Sequence, residues 1–216
     1  MVFNSDITSS GSGLASSSSY TIALVSAVNV LLNLKLSQFE ICKISLDIEH
    51  KFNPLTGYQD SYGCGLGSLK RLNFYSGGKV TLSLLKNSLF SKVNMYLVNT
   101  NTVRESNAIL KSINFEKVKG LLKYVDALEH NLDDKDKVYK ILNHAWEAKK
   151  QTSSMIANSN IEILGDKLIN NDNVKAIKLC GAGGGGYFLI ISEKKIKNKD
   201  YIKVQIDNIG VKSETF

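Results

Sequence analysis

Apolar residues alternate with polar ones at two periods along this chain, and the switches between them divide it into helices and strands. Residues Ser16–Asn33 are apolar at helix-compatible spacing, and Gln38–Phe52 places Ile41, Ile44, Ile48 and Phe52 three and four residues apart, predicting one buried stripe. Glu49 lies beside that stripe, sharing a helical face with Cys42, Ser45 and Leu46. The single proline, Pro54, closes the second helix and opens a loop reaching Asp60. A hairpin follows, Ser68–Phe74 and Lys79–Leu84 about the turn Tyr75-Ser76-Gly77-Gly78. After Lys86 a second unit begins, giving expected domains at 1–86 and 87–216. Its pattern predicts a strand at Val93–Asn99 and helices at Ser106–Ser112 and Phe115–Leu132. The longer helix has Val118, Leu121, Leu122, Val125, Leu128 and Leu132 on one face. Helices at Lys135–Ala157 and Ile161–Asn170 come next, then strands at Val174–Leu179, Tyr187–Ile191 and Tyr201–Asp207. Helices on one face of a mostly antiparallel sheet make an α+β fold.

Two glycine-rich segments interrupt this pattern. Gly11-Ser-Gly-Leu-Ala-Ser-Ser-Ser-Ser19 runs without a break into the first helix. The first N–H groups of a helix have no intrahelical acceptor and the helix dipole is positive there, so small side chains at this point let a phosphate approach the backbone. The spacing is neither the P-loop pattern with its lysine nor the Gly-x-Gly-x-x-Gly fingerprint. Near the other end, Gly181-Ala182-Gly183-Gly184-Gly185-Gly186 precedes the strand Tyr187–Ile191. Four consecutive glycines imply a backbone packed where side chains do not fit. A flexible Ser-rich loop and a glycine hinge are the plain alternatives. Glu49 and Asp60 stand eleven residues apart, and a phosphoryl transferase needs one carboxylate for Mg²⁺ and often a second to accept the proton of the attacking hydroxyl. Singly, each is an ordinary surface carboxylate.

Gly13 to Ser17 resembles the second signature motif of the GHMP kinases, Gly-Leu-Gly-Ser-Ser at the head of an apolar helix, with Ala15 where that family usually has glycine. Lys178 to Phe188 resembles the third motif. Within that superfamily the chain resembles the D-glycero-D-manno-heptose 7-phosphate kinases and related sugar 1-kinases. The resemblance is carried by Ser16–Ser19 with Tyr20, Gly57-Tyr58-Gln59-Asp60, Thr100 to Leu110, His144 to Lys150, and the third motif. It implies a partial ribosomal S5 domain 2-like N-terminal domain followed by a ferredoxin-like C-terminal domain. ATP is then the donor, Mg²⁺ the metal, and the anomeric hydroxyl of a phosphorylated seven-carbon sugar the acceptor.

By the same resemblance Gly11, Ser12, Gly13, Leu14, Ala15, Ser16, Ser17 and Ser18 cradle the ATP phosphates, and Gly183 and Gly184 help to enclose them. Ser17 and Glu49 bind Mg²⁺, and Asp60 is the catalytic carboxylate. Asp60, Arg104 and Gly184 meet the substrate, with the Arg104 guanidinium able to fork two donors onto a sugar phosphate. His144 and Trp146 are expected to pack between helices. The family's first motif and part of its sheet precede the phosphate loop, whereas here that loop starts ten residues from Met1. The expected alternatives to an autonomous kinase are therefore a truncated, non-catalytic binding protein or one piece of a split kinase, completed by a partner or a homo-oligomer.

Composition narrows the picture less. The net charge of +7 and the run Lys194-Lys195-Ile196-Lys197-Asn198-Lys199 suit anionic partners, but no nucleic-acid-binding signature accompanies them, so a solvated loop and no nucleic-acid partner are expected. No run is apolar enough to predict a membrane span or signal core, and cytoplasmic residence is the default. Cys42, Cys64 and Cys180 lack metal-ligand spacing and read as reduced thiols.

Overall fold

The computed structural model of the chain describes residues 11–86, 88–102 and 106–214. These residues divide into two units: 15–85 with the returning segment 206–214, and 11–14 with the described part of 86–205.

The first unit holds α1 (Ser16–Leu31), α2 (Gln38–Phe52), α3 (Tyr58–Gly65) and a hairpin of β1 (Lys70–Phe74) and β2 (Val80–Leu84). A capping box starts α2: the Ser37 hydroxyl accepts from the Glu40 N–H, and the Glu40 carboxylate accepts from the Ser37 N–H at 2.8 Å. The stripe expected on α2 holds for Ile41, which is buried, and for Ile44 and Ile48, which pack against the same core cluster; Phe52 departs from it. Phe52 is 86% exposed, while Ile41, Cys42, Ser45, Leu46 and Glu49 are buried. The reason is that α2 packs against both α1 and α3, and the approach to α3 is close. A Cβ on Gly65 would stand 2.2 Å from Cys42 Sγ, so small residues, not isoleucines, fill that contact.

Asp60 does not sit in a loop but in the first turn of α3, a helix that the sequence pattern missed. Two side-chain interactions, one local and one with α2, hold this short helix. The Lys70 ammonium donates to the carbonyls of Gly63 and Leu66 at its C-terminus, and the Ser61 hydroxyl is tied to α2. The returning segment then completes the unit. Leu66 bridges to Gly210, the Ser68 N–H donates to Asp207 O at 2.7 Å, and the Gln38 amide donates to the carbonyls of Ile209 and Val211.

The second unit is built on a four-stranded antiparallel sheet of order β4-β5-β3-β6, from β3 (Asn94–Asn99), β4 (Val174–Leu179), β5 (Tyr187–Ser192) and β6 (Tyr201–Val204). Its helices are α4 (Ser106–Ser112), α5 (Phe115–Lys119), α6 (Leu122–His130), α7 (Lys135–Lys150) and α8 (Ser159–Ile169). Ile109 of α4, Trp146 of α7, and Ile161 and Leu168 of α8 pack on Tyr96, Val98, Ile177, Leu179, Phe188 and Ile190 of the sheet. Trp146 meets Phe188 edge-on, 5.6 Å between centroids. A register shift between Val174 and Ala176 turns Val174 to the same side as Ile177, which explains why both join the core despite their odd spacing. The fold is thus α+β.

Three expected elements differ from the observed ones. Phe115–Leu132 is two helices separated at Gly120; of its apolar face Leu122 and Val125 are exposed, Val118, Leu121 and Leu128 are half-buried and Leu132 is buried. Helix α7 stops at Lys150, because the Thr152 hydroxyl bonds the Lys149 carbonyl and the Thr152 carbonyl accepts from the Asn114 N–H. Strand β6 stops at Val204, where the chain leaves for the first unit. His144 is exposed, whereas Trp146 packs as expected. The lysine run is a solvated loop anchored by Ile196, which packs on the core and whose N–H donates to Tyr96 Oη at 3.0 Å.

Candidate active site

Helix α1 begins at an unusual N-cap. Ala15 has left-handed backbone angles, φ 56° and ψ 36°, and no oxygen with which to cap the helix. The chain reaches it through Gly11 and Gly13, both at positive φ. No acidic side chain lies in the first turn. The positive end of the helix dipole lies at such a start. The division between the units falls inside this loop, between Leu14 and Ala15.

Below that helix start lies a buried carboxylate. Glu49, 7% exposed, comes from the inner face of α2. Its Oε1 accepts from Ser17 Oγ at 2.8 Å, and its Oε2 accepts from Ser18 Oγ at 2.7 Å and from Ser61 Oγ at 2.8 Å. Hydroxyl bonds to a carboxylate are charge-assisted, and three of them offset part of the cost of removing the charge from water. Among the described residues no lysine or arginine is ion-paired with Glu49. The carboxylate is thus held by three neutral hydroxyl donors. Ser17 is exposed, so the Ser17–Glu49 Oε1 pair reaches the surface, while Ser18 and Ser61 are buried. The Ser17 hydroxyl and Glu49 Oε1 are hard oxygen donors of the kind Mg²⁺ takes, so the pair fits that ion.

Asp60 is the residue before Ser61 on α3. One turn further, Cys64 accepts from the Ser19 hydroxyl at 3.4 Å and lies 4.0 Å from the Ala15 carbonyl. That contact turns the Asp60–Cys64 face of α3 toward the start of α1. Burial raises the pKa of the Cys64 thiol, and the negative charges of Asp60 and Glu49 add to the rise. Burial likewise pushes the Cys42 thiol up to about 11 and lowers the pKa of the Lys70 ammonium.

The second glycine segment has a different setting. Gly184 N–H donates to the Ile156 carbonyl at 2.8 Å, and Gly183 is buried against the Ile156 backbone. Gly186 N–H donates to Thr102 O, and Gly186 O accepts both the N–H and the hydroxyl of Thr100 at 2.9 Å. A Cβ at Gly186 would lie 2.2 Å from the Ser12 carbonyl, so this glycine packs directly on the first glycine-rich segment. Lys149 fixes the start of the segment by donating to the carbonyls of Leu179 and Gly181.

The structure thus brings Ser17, Ser18 and Glu49 together, and Ser12 with Gly186. It places Asp60 beside them on α3 through Ser61. Arg104 lies outside the described residues. Sequence reasoning missed Ser61 and Lys149. Only the helical register of α3 aims Ser61 at Glu49, and a lysine tying a glycine loop has no local signature.

Residues 1–68 match the GHMP kinases N terminal domain. Over that stretch, about a third of its length, the chain is similar to that domain. The D-glycero-alpha-D-manno-heptose 7-phosphate kinase of Campylobacter jejuni is 30% identical over 208 residues, covering 86% of this chain and 60% of that protein. The L-fucokinase/L-fucose-1-P guanylyltransferase of Bacteroides fragilis is 28% identical over 203 residues, 85% of this chain and 21% of that protein. The chain therefore spans less than two thirds of either GHMP relative. In fold it is similar to Streptococcus pneumoniae phosphomevalonate kinase in complex with phosphomevalonate and AMPPNP. The TM-score is 0.69 at 17% identity, over 81% of this chain and 59% of that one.

Proposed function

We propose that this protein transfers the γ-phosphoryl group of ATP to the anomeric hydroxyl of D-glycero-D-manno-heptose 7-phosphate or a related sugar. The observation that carries the reading is the Glu49 carboxylate, held under the α1 N-terminus by Ser17 at 2.8 Å. The sugar class rests on the name of the 30% identical Campylobacter relative.

The amides at the start of α1 bind phosphate oxygens and stabilise the charge spread over them in a loose transition state. Ser17 Oγ and Glu49 Oε1 would hold Mg²⁺, which would supply divalent charge to offset that of the phosphates. Asp60 orients the sugar hydroxyl and takes its proton as the new O–P bond forms and ADP departs. The Arg104 guanidinium is the proposed anchor for the 7-phosphate.

ADP release is measured with Mg-ATP and a panel containing the heptose 7-phosphate, L-fucose and unphosphorylated heptose. Acceptor-dependent release, greatest with the heptose 7-phosphate and reduced about 100-fold or more in Asp60→Ala and Glu49→Gln, is the expected result. No release with any acceptor, or full activity in Asp60→Ala, overturns the reading.

A further inference from the structure

The two oxygens of Glu49 are not equivalent. Oε2 accepts from two hydroxyls that are themselves almost wholly inaccessible, Ser18 at 1% and Ser61 at 0% exposure. Among the described residues, Oε1 accepts from Ser17 alone, which is exposed. A carboxylate with one oxygen occupied by two buried donors has a single oxygen to offer a cation. Mg²⁺ is small, demands near-octahedral geometry and keeps several waters, so one carboxylate oxygen suits it. Ca²⁺ takes more oxygens at longer distances and commonly uses both oxygens of a carboxylate.

We propose that Ser61 is a positioning residue that confines Glu49 to one-oxygen coordination and thereby makes the site discriminate Mg²⁺ against Ca²⁺. This deepens the kinase reading and rests on Glu49 as its metal ligand. Ser61 belongs to α3, whereas Ser18 follows Ser17 on α1, so the clamp spans three helices. Two donors converge on Oε2 from the two helices that pack on α2, and rotation of the carboxylate about its last bond would break both. Ser61 also directly follows Asp60, so the same clamp sets the register of the helix carrying the catalytic carboxylate against the metal ligand.

The test reads metal binding without turnover. Bound and free Mn²⁺ are separated by electron paramagnetic resonance in the presence of AMPPNP, and Mg²⁺ and Ca²⁺ are titrated as competitors against wild type, Ser61→Ala, Ser61→Thr and Glu49→Gln. The expected result is Mg²⁺ preference in wild type, narrowed about tenfold in Ser61→Ala because Ca²⁺ gains a second carboxylate oxygen, and kept in Ser61→Thr, which retains the hydroxyl. If Ser61→Ala does not fold, Ser61→Cys, with a weak donor of similar volume, carries the same comparison. Unchanged discrimination in a folded Ser61→Ala or Ser61→Cys protein overturns this inference alone. Mn²⁺ binding that is the same in wild type and Glu49→Gln overturns the metal reading together with it.

Discussion

The two glycine-rich segments look alike in sequence and do different things with their backbone. In the first, Gly11, Gly13 and Ala15 take positive φ and lead to a helix whose N-cap residue carries no capping oxygen. In the second, the amides of Gly184 and Gly186 are committed to the carbonyls of Ile156 and Thr102, and Cβ positions at Gly185 and Gly186 fall on the backbone of Thr102 and Ser12. In the first segment the Leu14 N–H donates to the Ser12 hydroxyl at 3.3 Å, and the positive-φ residues serve the turn into α1. The second uses its donors internally and serves as the surface on which the first half of the other loop rests. Glycine content alone therefore does not identify a phosphate cradle; what distinguishes one is where the N–H groups point.

The sharpest way to break this comparison is Gly186→Ala. The added methyl meets the Ser12 carbonyl at 2.2 Å in a backbone with φ +92°, and both the contact and the conformation oppose it. A loss of about 3 kcal/mol or more is expected in urea unfolding; a loss below about 1 kcal/mol would show that the packing role is wrong.

A second effect separates the helices beneath the first segment from the rest by pH. Cys42 is raised from an ordinary 9.0 to about 11, chiefly by burial and then by its neighbour Cys64. The unfolded thiol releases its proton first, so the folded state binds more protons between the two values. The stability this provides is full below pH 9 and declines as pH rises toward 11. Urea midpoints at pH 8 and pH 10.5 should therefore fall further for wild type than for Cys42→Ala. Equal slopes would mean that the thiol is not desolvated.

Gly63 supplies the contrast. It lies within α3 with open space around its Cβ direction, so Gly63→Ala should stabilise the protein by about 0.5–1 kcal/mol in the same assay. The smallest change is expected at Ala15. Glycine relieves its left-handed strain but adds freedom to the unfolded chain, so Ala15→Gly should raise stability by less than about 1 kcal/mol. A measurable loss would show that the methyl group packs usefully.

Much of the fold was legible because periodicity and capping agree locally. The bounds of α2 follow from its apolar spacing together with Pro54, and β3, β4 and β5 from apolar runs bounded by polar residues. What sequence reasoning missed depends on partners outside the element concerned. Helix α3 has three glycines in or at the edge of its span and little apolar signal, and it persists because Lys70 and Glu49 bind it. The buried face of α2 was assigned to its isoleucines, because size and hydrophobicity ordinarily decide burial. Ile41 is buried and Ile44 and Ile48 pack on the core, and the close approach of α3 adds Cys42 and Ser45 to the buried face. At the site, the proximity of Ser17 to Glu49 follows from helix order, but the sorting of one carboxylate oxygen from the other depends on Ser61, whose orientation only the folded α3 defines.

The segment 206–214 has a consequence for how the molecule is made. It supplies the bridge from Gly210 to Leu66 and the carbonyls that Gln38 holds, yet it follows the whole of 86–205 in the chain. During synthesis α1, α2 and α3 emerge early and must wait for that late segment, while the sheet unit can assemble as soon as β6 appears. The unit translated first is thus the one finished last, and its exposed helices are the surface a chaperone would meet on the nascent chain.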